Sequence, residues 1–209
     1  LAIAEILANE PDATRLALAL SQKIAHFFQV RRAFVGTMGD GTIAVEKVII
    51  DGEAQPLVRH FSSKDEAVGW VMTYKRSYQC RDPRNDPRLS AAYVQKFGCK
   101  SILTTPILNF QNHLLGVIEV QDRCDGEHFD ENDVALLQLV AMQSAPAFER
   151  AHLFSKMGGW ANAVSNLLAF NASLNRQLDP SKLIHRLTEH ATQFIGASGG
   201  LAGLVDGTK

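Results

Sequence analysis

Cysteine is scarce: the 209 residues contain three, Cys80, Cys99 and Cys124. They are too few and too scattered for a disulfide framework. None forms a C-x-x-C pair, which leaves a structural zinc site and thioredoxin chemistry without support. Reduced thiols in a cytoplasm are the default reading, so a cytoplasmic location is expected. Long apolar runs are also missing. None approaches the ~18 residues of a bilayer span, and the longest candidate, residues 134–142, is broken by Gln138. No membrane contact is expected of this stretch of chain. There is no excess of one charge either: 21 Lys and Arg face 22 Asp and Glu, a formal net charge of −1. Without a basic field to hold a phosphate backbone, nucleic acid is not an expected partner. A signal-peptide pattern is lacking, and the chain begins at Leu1 rather than Met, as expected of a piece of a longer protein. What remains is ordinary globular composition, 46% apolar and 21% charged. That excludes collagen-like, coiled-coil-only and disordered chains. The length suits one large domain, or one domain and part of a second.

Glu10-Pro11-Asp12 opens a helix in which Leu16, Leu20, Ile24, Phe27 and Phe28 repeat at helical spacing. Residues 32–38 and 43–50 read as strands around a Gly39-Asp40-Gly41 turn, and Asp51-Gly52 makes a second turn before a strand at 57–61. Ser62 or Ser63 is the expected cap of a helix reaching about Tyr74. Residues 81–88, RDPRNDPR, are loop chemistry. A short helix at 90–97 closes at Gly98, and strands at 101–108 and 113–121 follow. Asp130 is the expected N-cap of a long helix, Asp133 returns a carboxylate, and Phe129 with Val134 forms a hydrophobic staple. Pro146 should kink that helix.

Past Pro146, Leu153, Met157, Trp160, Val164, Leu167, Asn171, Leu174 and Leu178 are spaced alternately four and three apart. This is a heptad seam. One Asn among apolar a positions is a device that fixes register and favours a two-stranded coil. Apolar neighbours at Ala161, Ala163, Leu168 and Phe170 widen the seam toward a four-helix bundle. A homodimer through 153–178 is expected; the competing reading packs the helix on its own domain. The chain also repeats itself. Shifted by 167 residues, Asp12, Leu16, Leu20, Phe27 and Gly36 fall on Asp179, Leu183, Leu187, Phe194 and Gly203. The expected division is a complete first domain at 1–152, a linker helix at 153–178 and the opening of a second copy at 179–209.

The order of these pieces resembles the GAF domain family. The residues that carry the likeness are Ala67-Val68-Gly69-Trp70-Val71, Asp82-Pro83 with Asn85-Asp86-Pro87-Arg88, residues 101–107, Leu115-Gly116-Val117-Ile118-Glu119-Val120, and Phe129 with Asp133. The resemblance covers about residues 10–155. It implies an α+β fold, a central antiparallel sheet of five or six strands with helices on both faces, and a long C-terminal linker helix. It also implies a sensory or regulatory role, often in tandem and often dimeric.

In such folds the pocket lies between the sheet and the segment matching residues 58–108. Here that segment holds Trp70, Tyr74, Tyr78, Cys80, Asp82, Arg88 and Tyr93, suited to a small polar ligand with a flat or anionic part. Trp70 and Tyr74, four apart on a helix, could equally be core. The cyclic-nucleotide signature of the family is incomplete. Arg123, Phe129, Asp130 and Asp133 read instead as a structural clamp between strand end and helix start. No Cys is followed by His, as a bilin attachment would favour, and no His is marked out as a haem ligand. Some relatives reduce free methionine sulfoxide through paired thiols, but no catalytic order or metal-ligand spacing appears here. The chain is therefore expected to be no enzyme, to hold no metal, and to have a cofactor, if any, that the sequence does not name. Two functions stay open. One is a ligand sensor signalling through the dimeric helix to a downstream output domain; the other is a ligand-free module for dimerisation and relay. A PAS-like sheet would serve the same roles.

Overall fold

The computed structural model describes residues 7, 10–90, 93–95, 98–174, 185, 188–189, 192 and 198–202, with side chains of the last long helix described as far as residue 155. The chain divides into two units, Leu1–Ser155 and Lys156–Lys209. The first is built on six antiparallel strands in the order β3-β2-β1-β6-β5-β4.

Helix α1 spans Ala13–Phe27, and the Asp12 side chain accepts from Arg15 N at 2.9 Å to cap it. Its buried stripe is Leu16, Leu20 and Ile24. Strands β1 (Val30–Gly39), β2 (Thr42–Ile50) and β3 (Glu53–Phe61) then form a meander. Both connections are two-residue turns, Asp40-Gly41 and Asp51-Gly52, with positive φ at all four positions. That conformation matches the twist of the flanking strands. It explains why β3 begins four residues before the expected 57: pairing resumes at once, Ile50 opposite Glu53. The added residues are exposed on an edge strand, so they carry no apolar pattern.

Helix α2 is Glu66–Tyr74, later than the Ser62 or Ser63 start expected. Its N-cap, Asp65, turns its carboxylate back to accept from Ser62 N and Ser62 Oγ, each at 2.6 Å, so residues 62–65 form a turn. A side chain at Gly69 would meet the Ser63 carbonyl oxygen at 2.7 Å, so this turn lies tight against the helix. Strand β4, Tyr78–Cys80, was not expected; three residues are too few to show a period. Residues 93–95 are helical, Ser90 Oγ accepts from Tyr93 N, and Gly98 closes the turn at φ 58. Strands β5 (Ile102–Leu108) and β6 (Leu114–Arg123) complete the sheet.

Helix α3, Glu131–Leu174, is one continuous helix across Pro146. Its start is a reciprocal box: Asp133 N donates to Asp130 Oδ1 and Asp130 N to Asp133 Oδ2, both at 2.9 Å. Helices α1 and α3 pack on one face of the sheet around Ile24, Leu103, Ile118, Phe129 and Leu137. Helix α2 packs on the other with Leu89, Tyr93 and Cys99, around Phe34, Val71, Tyr78, Ile102 and Val117. We call the second face the inner face.

Candidate functional site on the inner face of the sheet

Strand β6 is buried on both faces from Gly116 to Gln121. Ile118 and Val120 join the α1/α3 core, while Val117 joins the inner-face core. Side chains alternate along a strand, so Glu119 and Gln121 take the inner face with Val117. Glu119 has no exposed surface. Its Oε2 accepts from Thr104 Oγ1 at 2.8 Å. Its Oε1 accepts from Gln121 Nε2 at 2.7 Å and from Tyr93 OH at 3.2 Å. The register makes this possible: Thr104 on β5 stands directly opposite Glu119, and Phe34 on β1 flanks it from the other side.

No ion pair reaches Glu119 among the described residues. Burial therefore pushes its carboxyl above the ordinary value of 4.5, and the three hydrogen bonds and the charge of Arg59 only partly oppose this. Gln121 Oε1 is buried without a hydrogen-bond partner. A buried acid with no cation in direct contact, beside an unanswered acceptor, is a costly arrangement for a core.

Next to this network lies a stack. Trp70 packs on Tyr74 with centroids 4.8 Å apart and on Tyr78 at 5.6 Å. The Arg88 guanidinium sits 4.4 Å from the Tyr78 ring centroid. Asp86 ties the far end, accepting from Tyr78 OH at 3.0 Å and from Arg88 Nε at 2.8 Å. The Arg88 guanidinium holds the Asp86 carboxyl well below its usual range. Burial raises the Tyr78 phenol, and the Asp86 carboxylate adds to this.

Of the candidate ligand residues, Trp70, Tyr74, Tyr78 and Arg88 thus come together, and Tyr93 joins the Glu119 network. Tyr74 is exposed. Asp82 is exposed and bonded within its own loop, to Arg84 N and Asn85 Nδ2. Cys80 is buried beside Asp86, and burial pushes its thiol up to about 11; burial likewise lifts Cys99 to about 12. A cleft of about 840 Å3 opens between residues 83–87 on one side and Val94, Gln95 and Gly98 on the other, and reaches this core at Leu89 and Cys99. Among the described residues no cluster of three His, Cys, Asp or Glu is arranged for a metal.

The clamp residues also meet. Arg123 Nη1 donates to Asp133 Oδ1 and Oδ2 at 3.0 and 2.8 Å, and Nη2 donates to Asp125 at 2.6 Å. Phe129 is buried, and Gln79 Nε2 donates to its carbonyl at 2.6 Å. Of the seam, Leu153 is exposed. The side chains of Met157, Trp160, Val164, Leu167, Asn171 and Leu174, and all of Leu178, lie outside the described residues, as does most of 179–209.

Sequence reading named Asp86, Thr104 and Glu119 only within the stretches that carry the family likeness, and gave neither them nor Gln121 a place in the site. A lone acid within the apolar run 115–120 was the available signal. Asp86 competed with Asp82 in a loop where both precede proline, and only the fold selects between them.

The family model described as GAF domain matches residues 12–148, and the chain belongs to that family. No curated protein sequence matches it. Among solved structures it is similar to residues 122 to 287 of a methyl-accepting chemotaxis protein. That match has TM-score 0.61 and 18% identity, and covers 73% of this chain and 98% of that one. It is also similar to the GAF domain of an Acinetobacter phosphoenolpyruvate-protein phosphotransferase, with TM-score 0.60, 12% identity and coverage of 74% and 92%. A third likeness is to a Neisseria meningitidis free methionine-R-sulfoxide reductase solved with its substrate, with TM-score 0.59, 14% identity and coverage of 72% and 86%. At such identities the likeness is one of fold, a fold that occurs in a chemotaxis protein, a phosphotransferase and a reductase.

Proposed function

We propose that residues 10–155 form the sensory domain of a cytoplasmic signalling protein and take a small molecule on the inner face, with Glu119 as its anchor. The observation that carries this is the buried Glu119 carboxyl with no cation in ion-pair contact among the described residues, beside the unanswered Gln121 Oε1. A ligand bearing an ammonium, amidine or amide N–H would answer both. Tyr93 covers Glu119 from the segment that also lines the cleft through Val94 and Gln95. Outward movement of that segment would join cleft and carboxyl into one pocket.

Strand β4 supplies a route outward. Tyr78 and Cys80 face the inner core. Their neighbours Ser77 and Gln79 bond the other way: Gln138 Nε2 on α3 donates to Ser77 Oγ at 2.9 Å, and Gln79 donates to Phe129 O. A shift at Tyr78 therefore moves the partners of the first two turns of α3. The 153–178 seam, paired with a second copy, would carry the shift to an output domain farther along the protein. Differential binding to two arrangements of this element is what such signalling requires.

The role proposed is regulatory rather than catalytic: burial raises the thiols of Cys80 and Cys99 toward the protonated, less reactive form, and Cys124 alone of the three is exposed. One observation favours the ligand-free reading: Trp70, Tyr78, Arg88 and Asp86 already satisfy one another. A thermal-shift screen with polyamines, amino acids and nucleosides separates the two. The sensor reading expects a rise of several degrees at millimolar concentration, lost in Glu119→Gln. No rise with any of them would favour the relay module.

A further inference from the structure

Strand β4 pairs only with Ile102–Thr104, while β5 continues to Leu108, so the last four residues of β5 form an open edge. Helix α3 faces that edge across a groove of about 830 Å3. The helix residues along it run from Val134 to Glu149. Gln138 to Glu149 alone spans ~16 Å at the rise of an α-helix.

The groove joins apolar and cationic surface. Two of its large apolar side chains are largely uncovered, Phe110 at 87% and Met142 at 65% exposure. Two adjacent cations lie on its wall. Lys75 Nζ donates to the Asn112 carbonyl at 2.7 Å, bridging from the end of α2 to the β5–β6 turn. Arg76 is exposed and makes no hydrogen bond or ion pair among the described residues. The one acid lining the groove, Glu149, is already engaged by Asn109 Nδ2 at 2.9 Å. An added peptide strand suits the edge poorly, because Pro106 offers it no N–H. A flexible chain needs no such donor.

We propose that this groove is a second binding site, for an anionic amphiphile: a single acyl chain laid between Met142 and Phe110 with its carboxylate on Arg76. Charge complementarity selects the head group, and the uncovered side chains together with the length of the groove select the tail. The site lies outside the inner face, meets the proposed route outward at Ser77 and Gln138, and does not use Glu119.

Dodecanoate, kept below its micelle concentration, is the probe, titrated calorimetrically into the whole 209-residue chain. Saturable binding is expected, weakened tenfold or more by Arg76→Glu and by Met142→Asp, and unchanged in Glu119→Gln. Circular dichroism melting of each variant establishes that it is folded. Equal binding of dodecylammonium, or undiminished affinity in Arg76→Glu, would overturn the proposal. So would sedimentation showing that Met142→Asp dissociates a dimer, which would give the groove to a second copy. Displacement of dodecanoate by an acidic peptide but not by other fatty acids would give it to a protein partner instead.

Discussion

On α1 and α3, which cover one face of the sheet, Ser21 and Ser144 are buried, and each hydroxyl donates to the carbonyl four residues back in its own helix at 2.7 Å. These two hydroxyls depend on no other element, although α3 also meets β6 through Arg123–Asp133 and the start of β4 through Gln138–Ser77. The inner face is different. Thr104, Glu119, Gln121 and Tyr93 come from β5, β6 and the segment before Gly98; Gln121 answers Glu119 within β6, Thr104 and Tyr93 answer it from other elements, and one acceptor is left over. An apolar face holds the fold with little need for geometry beyond packing. A face carrying a buried acid costs stability, and such polar cores are where binding and switching are found.

That contrast can be broken at several points. Leu20→Ala removes a fully buried side chain from the α1/α3 core and should cost about 3 kcal/mol in urea denaturation, within the usual large-to-small range. Asp86→Ala unties Tyr78 and Arg88 on the inner face. It should cost about 2 kcal/mol, as hydrogen bonds to a charged group do. In a Trp160→Phe background, emission from Trp70 should change with it, because Trp70 packs on Tyr78. Asp130→Ala removes the cap of α3 and should cost about 1 kcal/mol.

The smallest effect is the most specific. Glu119 holds its proton more tightly folded than unfolded. Its contribution is therefore fully present below the ordinary value of 4.5 and is lost as pH rises toward its folded value. Urea midpoints of wild type and Glu119→Gln should be most alike near pH 4. They should then move in favour of the variant as pH rises. A difference independent of pH would mean that Glu119 has the same proton affinity folded and unfolded.

Much of this fold is legible in the sequence for physical reasons. The Asp-Gly turns fix the meander because few other residues accept positive φ, and the Asp130/Asp133 box fixes where α3 starts. Strand β4 is invisible because its pairing depends on β5 and not on its own pattern. The start of α2 is misplaced because Asp65 spends its carboxylate on Ser62 rather than on the helix. For the site, aromatic and charged residues of the 70–93 segment stand out by type. Glu119 does not, because what distinguishes it is burial without a cation in contact, and which groups a strand will meet is decided by the pairing of strands far apart in the chain.

The carbon-13 titration of the Glu119 side-chain carboxyl in the free protein bears on the inner face without needing a ligand in hand. A carboxyl that keeps its proton well above pH 4.5, and gives it up when a cationic compound binds, would establish an acid held in waiting for a partner. Ordinary ionisation in the free protein would mean that the inner face already satisfies its own charge and is a core like the other.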